Sequence, residues 1–123
     1  WQNNSKVHFD INAREDKKRL IYGGHIISLV RALSFNGLEN AQLIVGINGG
    51  THANPVFAED TIYCWSEVLD KIDLNVRNIA ALRLRSVGTK EKNHSMKVKS
   101  DDGKYLPTIV LDFDYWVLVP KEL

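Results

Sequence analysis

The 123-residue chain holds 44% hydrophobic and 25% charged residues with a formal net charge of +1, the balance of one globular domain with enough material for a core. That balance excludes a dedicated nucleic-acid binder, which presents a strongly basic face, and no apolar run approaches the roughly 18–20 residues that cross a bilayer as a helix. The polar, charged start is unlike a signal peptide, and a single cysteine, Cys64, cannot close an internal disulfide, so a reducing, cytoplasmic setting is expected.

Residues 1–19 read as loop or short helix, ending in the charged cluster Arg14-Glu15-Asp16-Lys17-Lys18-Arg19. From Gly24 to about Phe35 the period becomes helical. Ile26, Leu29, Val30 and Leu33 fall at i, i+3, i+4 and i+7 and form one apolar stripe. Ile27 widens it, which predicts a helix covered on more than one side, and Asn36-Gly37 supplies the stop.

Four strands are predicted next. Ala41–Ile47 is apolar and breaks at Asn48-Gly49-Gly50; Thr61–Leu69 is rich in β-branched and aromatic residues. Ile79–Val87 sets Leu82 and Leu84 on one face and Arg83 and Arg85 on the other. In Pro107–Val119 one face carries Ile109, Leu111, Phe113, Tyr115, Val117 and Val119, while Asp112 and Asp114 point the other way. Residues 88–106 hold five lysines and almost no apolar residue, which predicts a long exposed, partly disordered connection. One buried helix and four long strands make an α+β fold, an antiparallel sheet with the helix against one face. A helix wrapped by a curved antiparallel sheet is the hot-dog architecture.

The chemistry concentrates near the N-terminus. The polar box Asn3-Asn4-Ser5-Lys6-Val7-His8-Phe9-Asp10 precedes Tyr22-Gly23-Gly24-His25 at the mouth of the helix. A helix start offers free N–H groups and glycines admit a ligand to the backbone, so the pair suits a carbonyl. His8 is the acid–base candidate, because an imidazole titrates near neutrality. Asp10 either holds its tautomer or serves a turn. His25 and His52 lack tight ligand spacing, so no metal is expected. Asn48-Gly49-Gly50-Thr51-His52 lacks the Gly-Lys-Ser/Thr ending of a phosphate loop; it reads as a strand connection or as a wall of a pocket. Arg83 and Arg85 either face solvent or bind a substrate carboxylate bidentately.

The run Tyr22 to Leu38, with Ile47-Asn48-Gly49-Gly50, Asn54-Pro55-Val56-Phe57-Ala58-Glu59-Asp60-Thr61 and Val110-Leu111-Asp112-Phe113-Asp114-Tyr115, resembles the MaoC-like hydratases of the hot-dog superfamily. More narrowly it resembles the C-terminal half of their mesaconyl-CoA hydratase (β-methylmalyl-CoA dehydratase) branch. The resemblance implies a hot-dog fold over 1–123, one half of a double hot-dog chain. A start at Trp1 without methionine fits a piece of a longer polypeptide.

The family's box, Asp-x-Asn-Pro-x-His-x-Asp, places its histidine on His8, its last Asp on Asp10, its Asn on Ser5 and its catalytic Asp on Asn3. The His-Gly at the helix start falls on Gly23-Gly24. By resemblance Gly24 offers the N–H that polarises a thioester carbonyl, His8 and Asn3 stand at the reacting carbons, and Ser5, Asp10, Gly23 and His25 contact substrate; Arg83 and Arg85 are the candidates for the second carboxylate of a C5 acyl group. The departure is Asn3, since an amide is no base. The activity implied is reversible hydration of an enoyl-type acyl-CoA, mesaconyl-CoA to β-methylmalyl-CoA, with coenzyme A as part of the substrate and no separate cofactor. A homodimer or tandem hot-dog partner is expected. The alternatives are a non-catalytic half that supports the fold or binds acyl-CoA, a hydratase of another acyl preference, and a thioesterase.

Overall fold

A computed structural model describes residues 4–41, 43–92 and 95–121; Asn3 lies outside them. Helix α1 spans Gly23–Leu33, and four strands follow, β1 Leu43–Thr51, β2 Tyr63–Val76, β3 Ile79–Thr89 and β4 Ile109–Pro120. They form one antiparallel sheet in the order β1-β4-β3-β2. Single 3-10 turns at Lys6–His8 and Ile11–Ala13 precede the helix. The α+β expectation holds.

The core is the seam between α1 and the middle strands. Ile26 and Val30 bury against Leu84, Val110, Leu111, Tyr115 and Val117. Gly88 of β3 is where the helix comes closest. A Cβ there would stand 2.7 Å from Val30 Cγ2, so only a residue without one lets α1 sit this deep. The buried stripe is narrower than the sequence implies. Leu33 is 44% exposed, and Ser34 turns inward in its place. Its hydroxyl bonds to Val30 O and leads into a chain, Ser34 Oγ to Ser66 Oγ (3.1 Å), Ser66 to Ser86 (2.8 Å), and Ser86 to Tyr115 Oη (2.9 Å). Each buried hydroxyl therefore has a partner, as low-polarity surroundings require. Burial pushes the pKa of the adjoining Cys64 thiol up. α1 ends at Leu33, three residues before the expected stop, and the short turn Phe35–Leu38 that follows is kinked at Asn36 and Gly37, where Gly37 takes φ +88°.

Four expectations about the strands change. First, β1 does not break at Asn48-Gly49-Gly50 but runs through it to Thr51, with register shifts between Ile44 and Gly46 and between Ile47 and Gly49. An edge strand tolerates such bulges because only one neighbour must match it. The apolar residues of β1 are exposed rather than buried, Ile47 most of all. Second, β2 continues past Leu69 to Val76 as an exposed edge strand paired with the start of β3, where Ala80 and Ala81 are buried.

Third, Gly88 pairs with Leu111 and Thr89 with Ile109, which leaves Val110 as an extra residue. This bulge sends Val110 to the helix side and Ile109 to a second cluster with Val87 and Val98. Ile109 therefore does not share a face with Leu111. Fourth, the described part of 88–106 is not simply exposed. Val98 is buried, Tyr105 and Leu106 are half-buried against it, and Lys99 pairs with Tyr105 as an antiparallel bridge.

Candidate active site

Backbone pairing brings three separate segments together at the N-terminal end of α1. Leu20 N–H donates to Val7 O (3.1 Å), Ile21 N–H to Val56 O (2.8 Å) and Ala58 N–H to Arg19 O (3.1 Å). The residues before the helix are thus clamped between the His8 turn and the loop after β1. That loop is tied down from below. Ala53 N–H donates to Val110 O, and the Asn54 amide donates to both Leu106 O (3.0 Å) and Ile109 O (2.7 Å).

Between these segments lies a crevice of about 350 Å³, lined by His8, Leu20, Ile21, Gly23, Ile26, His52, Asn54, Pro55, Val56 and Val110. Its walls are mostly apolar with a few convergent polar groups, the usual build of a small-molecule site. His8 Nδ1 lies 2.8 Å from Leu20 O. A carbonyl oxygen only accepts, so Nδ1 carries the proton and Nε2 keeps its lone pair. The backbone sets this tautomer without a carboxylate.

The helix start lies beside it. The first donors of the helical ladder are His25 and Ile26, both to Tyr22 O, and Tyr22 supplies no side-chain cap. The N–H groups of Gly23 and Gly24 precede that ladder, at the positive end of the helix dipole. Two rings pack where a larger residue would carry its Cβ. A Cβ on Gly23 would stand 2.8 Å from His52 Nε2, and one on Gly24 would stand 2.5 Å from Tyr22 Cε1. The Tyr22 ring also meets His8 edge-on, with centroids 5.8 Å apart.

Of the residues expected to act together, His8 and Gly23 line the crevice, and Gly24 follows Gly23 at the helix start. Ser5 stands before the His8 turn and its carbonyl accepts from His8 N–H (3.1 Å). Asp10 caps the Ile11–Ala13 turn by accepting from Asn12 N–H (2.9 Å), the turn role rather than the orientation of His8. His25 spends its backbone N–H on the helix and does not line the crevice. Asn3 lies outside the described residues.

Arg83 and Arg85 lie on the sheet face away from α1. Arg83 grips Asp114 through Nε (2.9 Å) and Nη2 (2.6 Å), and Arg85 grips Asp112 through Nε and Nη2 (both 2.8 Å). Both forks are filled by aspartates of β4, so the structure does not bring them to the crevice. The Arg85 fork, with a hydrogen bond from Tyr105 Oη, holds the Asp112 carboxyl below its ordinary pKa range despite partial burial. Sequence reasoning gave Tyr22 no role, set His52 aside as a metal ligand and placed it at the end of a segment read as a strand connection or a pocket wall. Only the folding of the loop after β1 onto Gly23 puts His52 at the site. Among the described residues no three His, Cys, Asp or Glu side chains cluster as a metal site would require.

No family model matches the sequence. Among solved structures, a MaoC domain protein dehydratase from Chloroflexus aurantiacus J-10-fl superposes with a TM-score of 0.92 at 49% identity, covering 99% of this chain and 36% of that one. A monoamine oxidase regulatory protein from Archaeoglobus fulgius superposes at 0.69 over 97% of this chain and 74% of its own; at 19% identity it shows the fold alone. The chain has the fold of a MaoC-like hot-dog domain. More particularly, it is similar over 98% of its length to the mesaconyl-CoA hydratase of Cereibacter sphaeroides, at 59% identity, and to the beta-methylmalyl-CoA dehydratase of Chloroflexus aurantiacus, at 50%. It spans 35% and 36% of those two proteins, about a third of each.

Proposed function

We propose that this domain supplies the acid–base half-site for reversible hydration of an enoyl-CoA thioester, with mesaconyl-CoA and β-methylmalyl-CoA as the substrate pair. The observation that carries the reading is His8, held by Leu20 O with a free Nε2 lone pair in the same crevice as an unspent helix start. The names of the two relatives support the choice of substrate.

The thioester carbonyl accepts from Gly24 N–H, where backbone donors and the helix dipole favour developing negative charge. His8 Nε2 takes a proton from water as the water oxygen adds to the β-carbon. Electron density moves onto the thioester oxygen, and the α-carbon then takes a proton. Hydration leaves the overall oxidation level unchanged, so the reaction needs no redox partner; coenzyme A enters with the substrate.

A second hot-dog half, as a tandem partner or a second copy, would cover apolar side chains left bare on β1 and β2, among them Leu43, Val45, Ile47, Val68 and Ile72. No helix among the described residues is long and apolar enough to cross a membrane; the lone Cys64 supports a cytoplasmic setting. A second reading, a half that binds acyl-CoA without driving the chemistry, is favoured by one feature, the amide Asn3 where the resemblance expects a carboxylate. The test is the absorbance of the conjugated thioester. The full-length protein is expected to bleach it with mesaconyl-CoA and water, and no change beside an active control enzyme would remove the hydratase reading.

A further inference from the structure

Adding water across a conjugated double bond takes a base at the water and an acid at the α-carbon. His8 in its observed tautomer presents a lone pair to the crevice and spends its N–H on Leu20 O. It is set up to take a proton. Asn3 is an amide and does neither. The acid is therefore missing from the steps above.

His52 is the other imidazole of the crevice. The loop that carries it is pinned to β4 through Ala53 and Asn54, and its ring rests on the α-carbon of Gly23, at the helix start. Nε2 and Cε1 stand 2.8 and 2.9 Å from where a Cβ would be, so this approach exists only because residue 23 is glycine. No hydrogen bond engages the His52 ring among the described residues. Among the described residues, His8 is the only other titratable side chain lining the crevice, and no carboxylate lines it. The outer side of His52 is open to solvent.

We propose that His52 is a catalytic residue of this site, the proton donor to the α-carbon; the proposal rests on the hydratase reading. In the hydration direction the water oxygen bonds to the β-carbon and one water proton passes to His8 Nε2. The π pair of the double bond moves toward the α-carbon and the thioester oxygen facing Gly24. The proton of the His52 imidazolium then bonds to the α-carbon, leaving His52 neutral. His8 loses the proton it gained and His52 regains one from solvent, so protons and charge balance over the cycle. Dehydration runs the same steps backwards.

The test is His52→Gln in the full-length protein, a substitution on an exposed loop that keeps polarity and removes the transferable proton. The expected result is a fall in hydration kcat of roughly 10²-fold or more with little change in KM. The alkaline limb of the kcat–pH profile, which reports loss of the protonated donor, should vanish. The acid limb, which reports protonation of the base, should remain. A kcat near that of the parent, an unchanged profile, or a raised KM at unchanged kcat, the mark of a binding group, would overturn the proposal. A parent protein that hydrates no enoyl thioester would overturn both this and the hydratase reading. An active parent disabled by His8→Ala but not by His52→Gln would overturn this proposal alone.

Discussion

Replacing Gly88 with alanine tests how deeply α1 is seated on the sheet. The new Cβ would lie 2.7 Å from Val30 Cγ2, 3.3 Å from Val110 Cγ2 and 3.4 Å from Leu111 Cβ. Carbon pairs are at their optimum near about 3.5–4.0 Å, so the first contact is strongly repulsive. Val30 has little room to yield. It is 1% exposed, and a β-branched side chain in a helix strongly prefers one rotamer. Either the helix lifts or β3 shifts, at an overpacking cost of about 1–3 kcal/mol. Alanine returns about 0.5–1 kcal/mol by losing less backbone freedom on folding. The net expectation is a loss of about 1–2 kcal/mol, which thermal unfolding reads as a drop of roughly 4 °C per kcal/mol for a domain of this size. In a Val30→Ala background the clashing methyl is gone, so Gly88→Ala should become neutral or favourable. A Gly88→Ala protein as stable as its parent, or the same cost in both backgrounds, would refute the close seating of the helix.

Ser86→Ala breaks the hydroxyl chain in the middle and leaves the fully buried Tyr115 Oη without its partner. Denaturant unfolding should show a loss of about 1–3 kcal/mol, partly recovered by adding Tyr115→Phe; a neutral Ser86→Ala would mean the chain is not holding the core. Asp112→Asn removes the acceptor of the Arg85 fork. Because the folded pKa of Asp112 is lowered, its contribution is present above the ordinary carboxylate pKa and is lost as pH falls through the folded value. The variant should lose about 1 kcal/mol near neutrality, discounted for solvent screening, and its deficit should shrink at acid pH; a deficit constant with pH would contradict the ion-pair origin.

The helix, β3 and β4 were legible because each buries a regular pattern, at period 3.6 in α1 and period 2 in the two strands, while β1 and β2 were legible by their apolar, β-branched and aromatic content. The Val110 bulge was not, because Ile109, Val110 and Leu111 are all apolar and satisfy either phase of the alternation. β1 looked shorter than it is because Asn48-Gly49-Gly50 reads as a turn, and an edge strand can carry such residues where a central one cannot. The arginine–aspartate forks had a visible signal, Arg-x-Arg on one strand and Asp-x-Asp on another. The register made the partners diagonal, Arg85 lying opposite Asp114 but bonding to Asp112. Within the site, His8 and the two glycines could be named from sequence. His52 was legible only as the end of a segment that read as a strand connection or a pocket wall; its contact with Gly23 gives it a place at the helix start, which no spacing rule predicts.

The central claim is that His8, at the helix start of this domain, takes part in the chemistry. The most direct measurement is the rate at which the conjugated-thioester absorbance of mesaconyl-CoA disappears, compared between the full-length protein and its His8→Ala variant at saturating substrate. The account predicts a loss of roughly 10²-fold or more in kcat, with the thermal midpoint kept close to that of the parent. A variant that stays folded and retains nearly full activity would contradict it, and would assign the proton chemistry to another part of the protein.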